Sequence, residues 1–155
     1  MSNTSPFSRR DFLAVAGTAA GAAALGAMPS RVFAHVSGSD TLKVALTNTA
    51  PTAATDDHLA DITQIANGNG YTTGGTAATT SSSAQSSGTY KLVLADVVFT
   101  ASGSMGPFRY AVLYNDTATN DELIGYWDYG SSITLASGDT FTVDFDATNG
   151  VLQLV

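Results

Sequence analysis

The residues best able to bind a metal or move a proton lie in one short acidic segment around His58. Asp56, Asp57 and Asp61 are close to this histidine in the sequence, and an imidazole with carboxylates can ligate a divalent cation. A catalytic zinc site, however, typically has three protein ligands, often several of them histidines. We therefore interpret the segment as a solvated polar turn, and we predict no metal and no other cofactor.

Motifs for nucleophilic and nucleotide chemistry are absent from the sequence. The chain has no cysteine, and the serine in Gly103-Ser104-Met105-Gly106 lacks the spacing of a nucleophile elbow. The loop Gly68-Asn69-Gly70 lacks both the third glycine of a dinucleotide fingerprint and a following lysine. Glu122 and Asp128 would lie roughly 20 Å apart along one strand, too far to flank a single glycosidic bond. We predict that the protein is not an enzyme.

Five aromatic residues lie close together in the C-terminal half of the chain. Such a group can form an exposed platform for sugars or can pack in the core and between subunits. Trp127 shares its predicted strand face with Leu123 and Gly125, which favours burial. Binding of carbohydrate stays as the alternative. The five residues are Tyr110, Tyr114, Tyr126, Trp127 and Tyr129.

The elements that must position these residues are predicted to be short strands. Charged residues make up 12% of the chain, about half of a typical share near 25%, and Ser, Thr, Asn and Gly supply the polarity instead. Alternating segments with turn residues between them favour a single antiparallel β-sandwich or jelly-roll-like domain. At most one short helix, or an irregular turn, is expected over residues 56–66. Residues 76–87 are expected to form either an edge strand or a loose stretch. The predicted strands are Leu42–Thr47, Thr89–Thr100 with an irregularity near Ala95-Asp96, Phe108–Tyr114 as a central strand, Leu123–Tyr129, Ile133–Leu135, Thr140–Asp146 and Val151–Val155.

The first 34 residues have the pattern of an export signal helix. Arg9 and Arg10 are followed by Phe12 and Leu13, which is typical of a twin-arginine signal. The uncharged run that follows, about 15 residues long, is too short to span a bilayer. Cleavage is predicted after Ala34, which divides the chain into a signal at 1–34 and a β-sandwich domain at 35–155. No stable membrane anchor is expected after cleavage.

Net charge limits the partners of this domain. After removal of the signal, Lys43, Lys91 and Arg109 face twelve acidic residues, so three minus twelve gives a net charge of −9. Binding to nucleic acid requires clustered basic residues. The sequence therefore excludes nucleic acid as a partner and predicts self-association or binding to other structural proteins.

From about Asp40 to the C-terminus, the chain resembles a family of small bacteriophage virion structural proteins associated with the head or tail. The segments that carry the resemblance are Thr41–Pro51, Ala60–Thr63, Asn67–Thr72, Gly88–Leu94, Gly106–Tyr110, Leu113–Thr117, Ile124–Ser132 and Gly138–Val143. The resemblance implies a non-catalytic β-domain of a phage particle. It supplies no catalytic residues.

These observations predict a non-catalytic structural or assembly module. An exported carbohydrate-binding or surface-attachment module is the alternative. A virion protein assembles in the cytoplasm, so the export signal and the phage resemblance point to different places. Use of the signal predicts a periplasmic or extracellular protein, whereas the resemblance predicts a component of the virion.

Overall fold

A computed structural model describes residues 38–155. Every strand pairing among these residues is antiparallel, and the one helical element is a 3-10 turn at Leu59–Asp61. The predicted all-β fold is confirmed. No helix in this part of the chain is long and apolar enough to cross a membrane. The strands are β1 (Leu42–Thr47), β2 (Thr76–Ala78), β3 (Thr80–Ser86), β4 (Thr89–Leu94), β5 (Val97–Thr100), β6 (Met105–Asn115), β7 (Leu123–Leu135), β8 (Thr140–Val143) and β9 (Leu152–Leu154).

The strands form three sheets, in the orders β2-β1-β6-β7, β3-β4-β9 and β5-β8. All three contribute buried side chains to one hydrophobic core, among them Leu46 from the first sheet, Leu92 from the second and Phe99 from the third. Phe108 of β6 meets Phe141 of β8 edge to face, with ring centroids 4.9 Å apart. The sheets thus pack face to face around a common core, as expected of a sandwich.

The irregularity predicted near Ala95-Asp96 is the point where the chain changes sheets. β4 ends at Leu94 and β5 begins at Val97. The Asp96 carboxylate accepts a hydrogen bond of 2.9 Å from the backbone N–H of Phe145. This N–H is therefore satisfied by a side chain instead of by a neighbouring strand. β8 accordingly ends at Val143, three residues earlier than predicted.

β6 lies between β1 and β7, as predicted for a strand that is apolar on both faces. Its Ala111 and Leu113 point into the common core, whereas Val112 and Tyr114 are buried on the opposite face of the sheet. β7 is longer than predicted, since it merges two expected strands and continues through exposed residues 130–132.

Residues 57–65 cover the outer face of the four-stranded sheet, the face turned away from the common core. At one end, Leu59 donates a backbone hydrogen bond to Asp121, and Leu123 donates one to Asp57 beside β7. At the other end, Ile65 donates to the Leu46 carbonyl on the far side of β1. The segment must therefore cross β6 between these points. Of the short helix or irregular turn expected over 56–66, the structure has a 3-10 turn, because His58 and Ile62 are extended and the segment bonds to the sheet edges.

Candidate interaction surfaces

The aromatic cluster of the sequence is divided between the two faces of β7. Trp127 is 7% exposed and meets Phe145 edge to face at 5.4 Å, which confirms its predicted burial. Tyr129 also packs against the core, where it meets Phe141. Tyr126 lies on the opposite face, beside Tyr110. Since strand residues alternate in direction, the five aromatics do not form one continuous platform.

An ion pair lies on the outer face of this sheet, next to the two tyrosines. The Arg109 guanidinium donates two hydrogen bonds of 2.7 Å to the Asp128 carboxylate and lies 5.3 Å from the centre of the Tyr110 ring. The bonds from Arg109 lower the pKa of Asp128, and the Gly130 N–H also favours its charged form. Each charge is compensated by the other, so this pair is better suited to holding β6 and β7 in register than to capturing an ion.

The acidic segment around His58 forms a single hydrogen-bonded turn. The ligand atoms of Asp57, His58 and Asp61 lie within 4.8 Å of one another. His58 Nδ1 lies 2.6 Å from Asp57 Oδ1, and Asp61 Oδ2 accepts hydrogen bonds from the backbone N–H groups of both Asp57 and His58. Asp56 instead accepts a bond from the Thr52 N–H. The Asp61 carboxylate thus satisfies two backbone N–H groups at the start of the 3-10 turn, in agreement with a solvated polar turn.

A cleft of about 200 Å³ opens where β7 and β8 separate into different sheets. Tyr129, two threonines and Asp139 are among the residues that line it, and the Asp139 carboxylate accepts a bond from the Ala136 N–H. The cleft is not evident from the sequence, because it depends on two consecutive strands that do not pair. Its lining residues are Tyr129, Ile133, Thr134, Leu135, Asp139, Thr140 and Phe141.

A further surface is an uncharged sheet edge formed by β2 and β3. β2 and β3 are separated only by Thr79, and both are edge strands, β2 of the four-stranded sheet and β3 of the three-stranded sheet. The sequence between Asp61 and Lys91 contains no charged residue and no proline. Most β3 side chains are exposed hydroxyl, amide or methyl groups. The edge is therefore open to a neighbour on an otherwise acidic domain.

Comparison of the chain with protein-family models, with curated proteins and with solved structures finds no match. The sequence-predicted signal residues lie outside the described residues 38–155, so their role stays a prediction. These residues are Arg9, Arg10, Phe12, Leu13 and Ala34.

Proposed function

We propose that this chain is a non-catalytic assembly module that acts by association with its own copies or with other structural proteins. The observation that carries the proposal is the uncharged edge formed by β2 and β3. The resemblance to phage virion structural proteins supports the same function.

An open edge strand favours association because its outward N–H and C=O groups can pair with another strand. Charged side chains and prolines on an edge normally oppose such pairing. The predicted mature domain has a net charge of −9, so two copies repel each other over much of their surfaces. Contact through a neutral edge avoids most of this repulsion.

The polar groups best able to do chemistry are occupied by structural contacts, which supports a role without catalysis. Asp128 is held by Arg109, and Asp61 caps the turn at His58. The Tyr71 hydroxyl donates to Gln64 and accepts from the Leu46 N–H. These contacts give each of these groups a structural role.

We further propose that residues 1–34 direct export of this domain through the twin-arginine pathway. That pathway carries proteins that are already folded, and a compact domain without cysteine can fold before export. Use of the signal places the domain in the periplasm or outside the cell. If the phage resemblance governs instead, the protein belongs to the virion.

Attachment to carbohydrate is the second candidate function. The observation in its favour is the cleft between β7 and β8, whose lining includes an aromatic, a hydroxyl-bearing and an acidic residue: Tyr129, Thr134 and Asp139. Small-ligand sites commonly combine an apolar wall with a few polar groups.

Sedimentation velocity of the full chain over a range of concentrations tests the assembly function. We expect a reversible shift from monomer to larger species as the concentration rises. A protein that stays monomeric throughout and hydrolyses a sugar or ester would contradict the proposal. A monomer that is retained by polysaccharide without cleaving it would favour the second candidate.

A further inference from the structure

The hydrogen bonds around β4 establish which backbone groups of β3 point away from its sheet. Ala95 donates to the Thr79 carbonyl, on the β3 side of β4, whereas Val151 donates to the Leu92 carbonyl, on the β9 side. Odd-numbered residues of β4 therefore bond toward β3. Lys91 pairs with Ala84 and Thr89 pairs with Ser86.

It follows that Ala84 and Ser86 direct their backbone groups toward β4, while Ser83 and Gln85 direct theirs outward. Within the described part of the chain, no backbone group donates to or accepts from this outward side of Ser83 and Gln85. Gly38 comes near Ser83, but what it approaches is the side chain, which is hydrogen-bonded to the Tyr90 hydroxyl.

We propose that β3 pairs antiparallel with β3 of a second copy of this chain, about a two-fold axis at Ala84. This inference rests on the proposed assembly function and names its contact surface. The pairing places Ser83 of one copy opposite Gln85 of the other, so that the outward N–H and C=O groups of both residues are satisfied.

The position of the axis follows from the regular part of the strand. A β-bulge interrupts the register between Thr80 and Ser82. An axis at Ser83 would pair Gln85 with Ser81, which lies at this bulge. An axis at Ala84 uses only residues beyond the bulge and before the turn at Ser87-Gly88.

A second copy fits this edge better than a charged partner does. β3 itself has no charged residue, so it offers no complement to a basic or acidic segment. Two β3 strands meet without like-charge repulsion, and a self-complementary edge satisfies two copies at once. Two other described edges are less suitable: β9 has three residues, and Asp57 already accepts a backbone bond from Leu123 at the start of β7.

Proline substitution at an outward-facing residue tests the pairing without disturbing the pairing of β3 with β4. Gln85→Pro removes an N–H that makes no bond within the sheet, and edge strands tolerate such a proline. Because the two-fold axis places the substitution in both copies, half of the intermolecular backbone hydrogen bonds are lost. We expect dimerisation of the full chain to weaken about thirtyfold, measured by sedimentation equilibrium.

Gln153→Pro is the matched control. Gln153 pairs with Lys91, which bonds toward β3, so the Gln153 N–H also points outward, on the opposite edge of the same sheet. This variant should dimerise like the unmodified chain. The thermal unfolding midpoints of the two variants show whether either substitution damages the monomer.

A single introduced cysteine tests the register, since the chain has no cysteine of its own. Ala84→Cys places two thiols at the axis, where the paired Cα atoms are close enough for a disulfide. Ser82→Cys places them four residues apart along the strand, too far to join. We expect a cross-linked dimer from the first variant under mild oxidation and none from the second.

The outcomes separate this inference from the assembly function. Dimers that survive Gln85→Pro in a folded protein, or that dissociate with Gln153→Pro, would overturn the β3 contact while leaving self-association in place. Failure of Ala84→Cys to cross-link while Ser82→Cys does so would overturn the axis at Ala84. A chain that remains monomeric at every concentration would overturn the β3 contact and leave association with other structural proteins as the form of the assembly function.

Discussion

Tyr114 shows how one buried hydroxyl links the central strand to the segment before β2. Its side chain is 1% exposed, and its hydroxyl donates a hydrogen bond of 2.6 Å to the Gly74 carbonyl. Burial raises the pKa of Tyr114 well above its usual value, and the nearby Asp116 and Asp121 carboxylates raise it further. Burial also raises the pKa of Tyr71. Both phenols therefore stay protonated in the folded protein when exposed tyrosines ionise.

Replacing Tyr114 by Phe should lower the free energy of unfolding by about 1–2 kcal/mol at pH 7, because the Gly74 carbonyl loses its donor. In the unmodified chain, stability should fall as the pH rises above 10.0, the ordinary pKa of tyrosine. There the unfolded chain releases the phenolic protons of Tyr71 and Tyr114 while the folded chain retains them. Urea unfolding over a series of pH values should show a shallower alkaline decline for Tyr114→Phe. An unchanged slope would contradict this role.

Trp127→Ala should lower the free energy of unfolding by about 3–5 kcal/mol, since it leaves a cavity beside Phe145. The adjacent Tyr126 points to the other face and is only partly buried, so Tyr126→Ala serves as the control and should cost less. Chemical denaturation of both variants measures the difference. Equal losses would show that Trp127 is not a core residue.

At the scale of elements, the start of β2 depends on a very close approach to β1. Gly75 has φ +75°, a conformation that favours glycine. A Cβ atom at this position would collide with the backbone carbonyl of Val44. A side chain here would therefore push β2 away from β1 and disturb the beginning of the uncharged edge.

Gly75→Ala should destabilise the protein by about 2 kcal/mol more than Gly138→Ala. Gly138 also has a positive φ, of 92°, but its Cβ position meets no atom within 4 Å. The pair therefore isolates the collision from the backbone strain that both changes share. Thermal unfolding of the two variants provides the comparison, and equal midpoints would argue against the close contact.

For the whole molecule, the charge of the domain and the predicted export signal both bear on where the domain acts. The three basic residues before residue 35 belong to the predicted signal, and their removal leaves a more acidic domain. An acidic surface opposes nonspecific adhesion to anionic membranes and favours solubility after release.

Changing both Arg9 and Arg10 to Lys should retain the precursor in the cytoplasm, because the paired arginines are the recognition element of a twin-arginine signal. Cell fractionation with N-terminal sequencing measures the result, and the unmodified chain should begin near His35. The control changes Arg31 to Lys, outside the paired motif, and should be exported normally. Normal export and processing of the Arg9/Arg10 variant would contradict the signal.

Local patterns in the sequence by themselves determined the fold class, the bounds of β1, the break near Ala95-Asp96 and the burial of Trp127. Each of these follows from alternation or interruption within a few residues, and a strand side chain must point to one face or the other. The absence of charge from the edge formed by β2 and β3 likewise follows from the composition between Asp61 and Lys91.

Tertiary structure alone decided which strands are neighbours, and hence which surfaces are available. The crossing of residues 57–65 over the outer face, the division of β2 from β3 between sheets, and the cleft beside Tyr129 all depend on contacts between residues far apart in the chain. Hydrophobic alternation specifies a strand's faces but not its partner. The outward direction of the Ser83 and Gln85 backbone groups emerges only once β4 has bonded to both β3 and β9.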